Sequence, residues 1–129
     1  MIFLETSFLI NFHVPKLQNH EIAKKIFYEI EEKQKAISKM TIYETLTVLR
    51  KLKQDDKKLK SVYHQLVNSD DIKVFEDISC YEQALSNTFI NNIGFFDNLT
   101  YIVMTKLNIK EIASFDPDFD IFKDIKRIH

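Results

Sequence analysis

Residues Ile2-Phe3-Leu4 form a short, unbroken apolar run that is followed directly by the acidic residue Glu5. A run this short and this apolar indicates a strand buried on both faces, which is typical of parallel sheets. An ionised side chain directly after such a strand is costly unless it is paired. The stretch therefore predicts a parallel α/β sheet with a charged group at its carboxyl edge.

Apolar runs and amphipathic helical patterns alternate along the remaining sequence. Helices are predicted after Asn19, from about Thr41 to Lys53, from the Asp55-Asp56 pair, from the S-x-x-E pattern of Ser79 and Glu82, and after Gly94. Further strands are predicted at 36–38, 72–75, 112–115 and 125–128. This alternation calls for parallel strands joined by right-handed crossovers, with helices on both faces. We expect one domain over residues 1–129.

The composition is that of a globular protein: 45% of the 129 residues are hydrophobic and the net charge is −1. The near-neutral charge disfavours a strongly basic nucleic-acid-binding fold, so any nucleic-acid substrate would require a local basic patch and metal ions. No apolar stretch approaches the roughly 20 residues of a membrane span. The lone cysteine, Cys80, cannot form an internal disulfide, and the four histidines lack metal-ligand spacing and are expected at the surface. A cytoplasmic protein is the expectation.

Four carboxylates occupy positions where the predicted fold would place a site. Glu5 follows the first strand, Glu44 lies in the first turns of the helix after the second strand, Asp97 opens the helix after Gly94, and Asp116 follows the strand ending near Phe115. Parallel strands would bring all four to one edge of the sheet. Mg²⁺ and Mn²⁺ prefer oxygen ligands and relieve such repulsion, so metal-assisted phosphodiester hydrolysis is a coherent interpretation.

Each acid also has a simpler structural interpretation. Asp97 could be an N-cap, Asp116 before Pro117 could start a helix, and Glu44 could be a solvated helix residue. Glu5 is the hardest to explain in this way, because it interrupts an apolar run.

Basic residues cluster around the predicted turn between two helices. One interpretation is an RNA-binding edge that contacts phosphates beside the acidic site. The alternative is a solvated hairpin tip, since Asp55 and Asp56 lie among the lysines. The residues that would contact RNA are Arg50, Lys51 and Lys53.

Four segments carry a family resemblance when they are taken in order. They are residues 2–10 (IFLETSFLI), 43–49 (YETLTVL), 95–97 (FFD) and 112–119 (IASFDPDF). Each is weak alone, but together they resemble the PIN-domain family, in particular the VapC-like toxins of toxin–antitoxin pairs. The resemblance extends over essentially the whole chain.

The resemblance implies a three-layer α/β sandwich with a central parallel sheet of about five strands flanked by helices. It implies a metal-dependent endoribonuclease that uses Mg²⁺ or Mn²⁺, acts on RNA, forms a homodimer and binds an antitoxin protein. The implied catalytic residues are Glu5, Glu44, Asp97 and Asp116, of which Glu5, Asp97 and Asp116 would bind metal. Ser7 matches a hydroxyl residue that supports the first acid, and Asp118 is a possible auxiliary group.

One position departs from the family pattern, because the family usually has aspartate where this chain has Glu5. The additional methylene moves the carboxylate outward by about 1–1.5 Å, whereas catalytic geometry must be held within roughly 0.5 Å. A second interpretation therefore stays open at this point: an attenuated or non-catalytic module of the same fold that binds RNA or a protein partner.

Overall fold

The computed structural model describes residues 1–129. Its centre is a five-stranded parallel sheet with the strand order β3-β2-β1-β4-β5. The strands are β1 (Ile2–Leu4), β2 (Lys35–Ser38), β3 (Ile72–Phe75), β4 (Glu111–Ala113) and β5 (Lys126–Ile128). The helices are α1 (Thr6–His13), α2 (His20–Glu29), α3 (Lys39–Lys51), α4 (Asp56–Asn68), α5 (Tyr81–Asn91) and α6 (Phe95–Lys106). Two short 3₁₀ helices span Ile78–Cys80 and Pro117–Ile121.

Two hydrophobic cores lie on opposite faces of this sheet. Ile2 and Leu4 of β1 pack against α1, α2, α3 and α4, whereas Phe3 packs against α5 and α6. All three β1 residues are fully buried because β1 is the central strand, which explains the apolar run in the sequence. The arrangement confirms the predicted three-layer α/β sandwich. None of the helices combines the length and the apolarity that crossing a membrane requires.

Helix α1 was not predicted from the sequence. Five of its eight residues are buried, and they point in most directions around the helix axis: Thr6, Phe8, Leu9, Ile10 and His13. No residue of α1 is exposed, and the polar Thr6 and His13 are themselves buried, so the sequence lacks the amphipathic pattern by which helices are recognised.

The predicted capping box at Ser79 is wrong. Ser79 lies inside the 3₁₀ helix Ile78–Cys80, and α5 begins only at Tyr81 with Cys80 at its N-cap. No side chain caps α5, because the intervening turn displaces the Ser79 hydroxyl from the N-cap position.

His13 is buried rather than exposed, with only 8% of its surface accessible. Its ring makes an edge contact with Phe12 at 5.0 Å between centroids. Burial lowers the pKa of His13 to about 4, and the nearby charges of Lys58 and His20 add to this effect. The folded protein therefore holds His13 in its neutral form.

This environment predicts an acid-sensitive contribution to stability. The unfolded chain binds a proton at His13 below pH 6.5, whereas the folded protein does so only near pH 4, so stability falls as the pH drops through this window. We expect His13→Gln to flatten that fall, as measured by urea unfolding at several pH values. The exposed His64 supplies the control, because His64→Gln should leave the pH dependence of wild type unchanged. Equal slopes for His13→Gln and wild type would contradict the assignment.

Candidate functional site

The acidic residues converge because of the strand order. β1 lies between β2 and β4, so the carboxyl ends of these three strands are adjacent. Glu5 directly follows β1, Glu44 is carried by the helix that directly follows β2, and Asp116 comes three residues after β4. Asp97 joins them from the first turn of α6.

The Glu5 carboxylate is held in place by the residues around it. Glu5 is the N-cap of α1 and only 7% of its surface is accessible. Its Oε2 atom accepts hydrogen bonds from the Ser7 backbone N–H at 3.0 Å, from the Ser7 hydroxyl, and from the Ser114 hydroxyl at 2.7 Å. Its Oε1 atom accepts none from the protein. The side chain therefore presents one oxygen to the rest of the site.

Burial raises the pKa of Glu5, and the charge of Glu44 adds to this effect, while the hydrogen bonds from the two serines oppose it. An uncompensated carboxylate at this depth would be strongly destabilising. The serine donors are thus part of what allows an acid to occupy this position.

Ser7 and Ser114 also connect the two strand ends to each other. The Ser7 hydroxyl accepts from the Phe115 N–H at 2.9 Å, and the Ser114 hydroxyl accepts from the Asp116 N–H at 3.0 Å. Ser7 was predicted to support the first acid. Ser114 was missed, although a small hydroxyl residue two positions before Asp116 at a strand end is a usable signal.

Glu44 is half-buried rather than solvated, and its Oε1 atom accepts a hydrogen bond from the Thr6 hydroxyl at the start of α1. Burial raises the pKa of Glu44, the Thr6 hydrogen bond opposes the rise, and the charge of Asp116 adds to it. Its interpretation as a solvated helix residue is therefore wrong.

Asp97 is not the N-cap of α6. Gly94 occupies that position, and no side chain caps the helix. Burial and the charges of Asp116, Glu5, Asp118 and Glu44, in decreasing order, raise the pKa of Asp97 to about 8. Without a cation, this cluster therefore retains a proton near neutral pH.

Through its carboxylate, Asp116 both caps a helix and belongs to the acidic cluster. Its carboxylate caps the 3₁₀ helix Pro117–Ile121 by accepting from the Asp118 N–H at 2.9 Å, so the cap-plus-proline interpretation is correct. Its carboxylate also approaches two others: oxygen atoms of Asp97, Asp116 and Asp118 all lie within 4.8 Å of one another. Asp118, predicted only as an auxiliary group, is therefore a member of this trio. Glu5, predicted as a metal ligand, is not one of the three, although its charge acts on Asp97.

The donor chemistry of the cluster fits a hard divalent cation. Every ligand available in the trio is a carboxylate oxygen, which is the type that Mg²⁺ and Mn²⁺ prefer. The charge of Asp116 acts on Arg127, but the Arg127 guanidinium forms a two-pronged ion pair with Asp120 and donates to the Ser114 carbonyl. No internal ion pair neutralises the trio.

The basic residues predicted to contact RNA are at the far end of α3. Arg50 lies six positions after Glu44, or about 9 Å along the helix axis. It is paired with Asp56, whereas Lys51 and Lys53 are exposed and form no ion pair. Arg50 and Lys51 thus lie on the same helix as Glu44, and Lys53 lies just beyond its end; none of the three belongs to the acidic cluster.

The protein is an α/β protein with a central parallel sheet and helices on both faces. Its candidate site is a cluster of acids at the carboxyl edge of that sheet. The chain belongs to the PIN domain family, whose sequence profile matches residues 2–125.

Among solved structures, the chain is similar to VapC20 of Mycobacterium tuberculosis, a toxin that cleaves the sarcin-ricin loop. The TM-score is 0.84 over 94% of each chain, at 22% sequence identity. A likeness at this level of identity establishes the common fold. Comparison with curated protein sequences gave no match.

The serine contacts lead to a prediction about stability. Ser114→Ala removes a donor to the buried Glu5 carboxylate, so we expect the free energy of unfolding to fall by about 1.5–3 kcal/mol. Chemical denaturation at neutral pH measures the change. Ser86 is an exposed serine of α5, and Ser86→Ala should change the free energy by less than about 0.5 kcal/mol. Equal effects of the two substitutions would show that Ser114 does not stabilise the carboxylate.

Proposed function

We propose that this protein is a metal-dependent endoribonuclease that hydrolyses RNA phosphodiester bonds with Mg²⁺ or Mn²⁺. The observation that carries the proposal is the convergence of Asp97, Asp116 and Asp118 beside Glu5, with no cation of the protein to neutralise them. Membership of the PIN domain family supports it, as does the structural likeness to a toxin that cleaves RNA.

In this proposal Glu5, Asp97 and Asp116 bind the metal, and Asp118 assists them. When bound there, a divalent ion would lower the pKa of a water molecule and stabilise negative charge on the phosphate. Glu5 contributes its Oε1 atom, because its Oε2 atom is committed to Ser7 and Ser114. The hydrogen bonds to Oε2 fix the glutamate side chain in place, which favours a catalytic role for Glu5 over an attenuated one.

Glu44 is the fourth catalytic acid in this proposal. Its Oε1 atom is held by the Thr6 hydroxyl, and its Oε2 atom accepts no hydrogen bond from the protein. The free oxygen is available to orient the attacking water and to accept its proton.

RNA binding is assigned to the end of α3. Lys51 and Lys53 are exposed and without ion pairs, and Arg50 beside them is also exposed. Because the net charge is only −1, such a local patch is needed to attract phosphates towards an acidic site.

We further propose that the protein is the toxin of a toxin–antitoxin pair, that it acts in the cytoplasm as a homodimer, and that an antitoxin protein inhibits it. The structural likeness to the VapC20 toxin supports the first part. Exposed apolar side chains on α5, including Phe89 with 77% of its surface accessible, offer a surface for a second copy.

A cleavage assay tests the proposal with structured and single-stranded RNAs in Mg²⁺, in Mn²⁺ and in EDTA. Asp97→Asn removes a charge from the centre of the cluster while preserving the shape of the side chain. We expect it to reduce the rate by more than the roughly 10–100-fold that follows loss of an outer-sphere partner. Wild type should be inactive in EDTA.

The matched control is Asp70→Asn, the same chemical change at an exposed aspartate that makes no hydrogen bond or ion pair. It should retain the wild-type rate. Cleavage that persists in EDTA, or that Asp97→Asn retains in full, would contradict the proposed function.

A further inference from the structure

A second buried carboxylate, Asp77, lies outside the acidic cluster in the connection between β3 and α5. It is fully buried, and no lysine, arginine or histidine pairs with it. Its Oδ2 atom accepts from the Met40 backbone N–H at 2.9 Å, and its Oδ1 atom accepts from the Tyr81 hydroxyl at 2.9 Å. A buried charge without a cation is costly, so these two contacts must compensate for it.

The contact with Met40 supplies a cap that α3 otherwise lacks. Ser38 stands at the N-cap of α3 but makes no capping hydrogen bond, because its hydroxyl lies 3.2 Å from the hydroxyl of Thr41 instead. The N–H groups of a first helical turn need acceptors and favour negative charge. Asp77 meets both needs from 37 positions away in the sequence.

The contact with Tyr81 extends the connection to α6. The ring of Tyr81 packs edge-on against Phe95, with centroids 6.2 Å apart and planes at 67°. Phe95 is the first residue of α6 and precedes Asp97 by two positions. Met40, for its part, precedes Glu44 by four positions on α3.

We propose that Asp77 and Tyr81 form a positioning brace that fixes the start of α3 relative to the start of α6, and thereby the separation of Glu44 and Asp97. The functional consequence rests on the proposed metal-dependent activity. The charges of Glu44 and Asp97 repel each other. Fixed helix starts help to hold such groups within roughly 0.5 Å of a working geometry. Neither Asp77 nor Tyr81 touches the metal or the RNA in this account.

Three substitutions distinguish a brace from a structural contact without consequence for the site. Asp77→Ala removes both hydrogen bonds. Asp77→Asn can retain both, because its Oδ1 atom can accept from Met40 while its Nδ2 atom donates to the Tyr81 oxygen. Tyr81→Phe removes only the hydroxyl, and it keeps the test available if Asp77→Ala does not fold.

The matched control is Tyr101→Phe. Tyr101 also donates to an aspartate, Asp124, but on the exposed part of α6 away from the helix start. The substitution Tyr101→Phe therefore removes the same type of hydrogen bond as Tyr81→Phe, a tyrosine hydroxyl donating to an aspartate.

Two measurements on the full chain report the effect. Amide hydrogen exchange of the metal-free protein is followed at Met40 and at Asn98, whose N–H donates to Gly94 in the first turn of α6. Mn²⁺ affinity is followed by calorimetry. We expect Asp77→Ala to speed exchange at both amides, and both Asp77→Ala and Tyr81→Phe to weaken Mn²⁺ binding about tenfold. Asp77→Asn should restore affinity to near the wild-type value, and Tyr101→Phe should change neither quantity.

Other results would overturn the brace. Faster exchange at Met40 alone would reduce Asp77 to a local cap of α3. Unchanged Mn²⁺ affinity in folded Tyr81→Phe and Asp77→Ala, or an equal loss in Tyr101→Phe, would remove its influence on the site. If wild type neither binds Mn²⁺ nor cleaves RNA, the proposed function fails, and the exchange at Met40 and Asn98 still decides whether the two helix starts are coupled.

Discussion

The structure depends on keeping several carboxylates close together without a protein cation to neutralise them. The hydrogen bonds that Ser7 and Ser114 donate to Glu5 are the interaction by which the fold achieves this at its centre. They stabilise a buried charge at the end of β1, and they also join that end to the segment following β4. The central strand, its neighbour and the first helix are thereby fixed around one oxygen atom.

The order of the strands brings the other acids to the same edge of the sheet as Glu5. Because β1 lies between β2 and β4, residues far apart in sequence reach one edge of the sheet. The helix starts bring the remaining acids: Thr6 holds Glu44 on α3, and Asp97 is carried by the first turn of α6. Burial and the repulsion among these carboxylates together raise the pKa of Asp97 to about 8. A divalent cation would relieve that repulsion, which is why the geometry favours metal binding over a purely structural role.

The sequence predicted the sheet well because β1 is buried on both faces and β2, β3 and β4 each contain apolar residues in a short run. Parallel strands place their following residues at one edge of the sheet, and on this basis the sequence predicted Asp97 and Asp116 to lie together, as they do, whereas Asp118 was predicted only as an auxiliary group. The sequence missed α1, which has no exposed face and buries polar as well as apolar residues. It also missed the burial of His13, because neither burial nor a shifted pKa follows from an isolated histidine. Asp77 was missed for a different reason: its contact with Met40 spans 37 positions, and only the folded chain brings such partners together.

The most direct test of the metal site is an anomalous difference map from crystals soaked in Mn²⁺. The account predicts a peak coordinated by carboxylate oxygens of Asp97 and Asp116 together with Glu5 or Asp118, at about 2.0–2.3 Å. The same soak of Asp97→Asn crystals should lack this peak. A well-soaked wild-type crystal with no peak at the cluster, or an equally strong peak in Asp97→Asn, would contradict the claim that these carboxylates form a metal site.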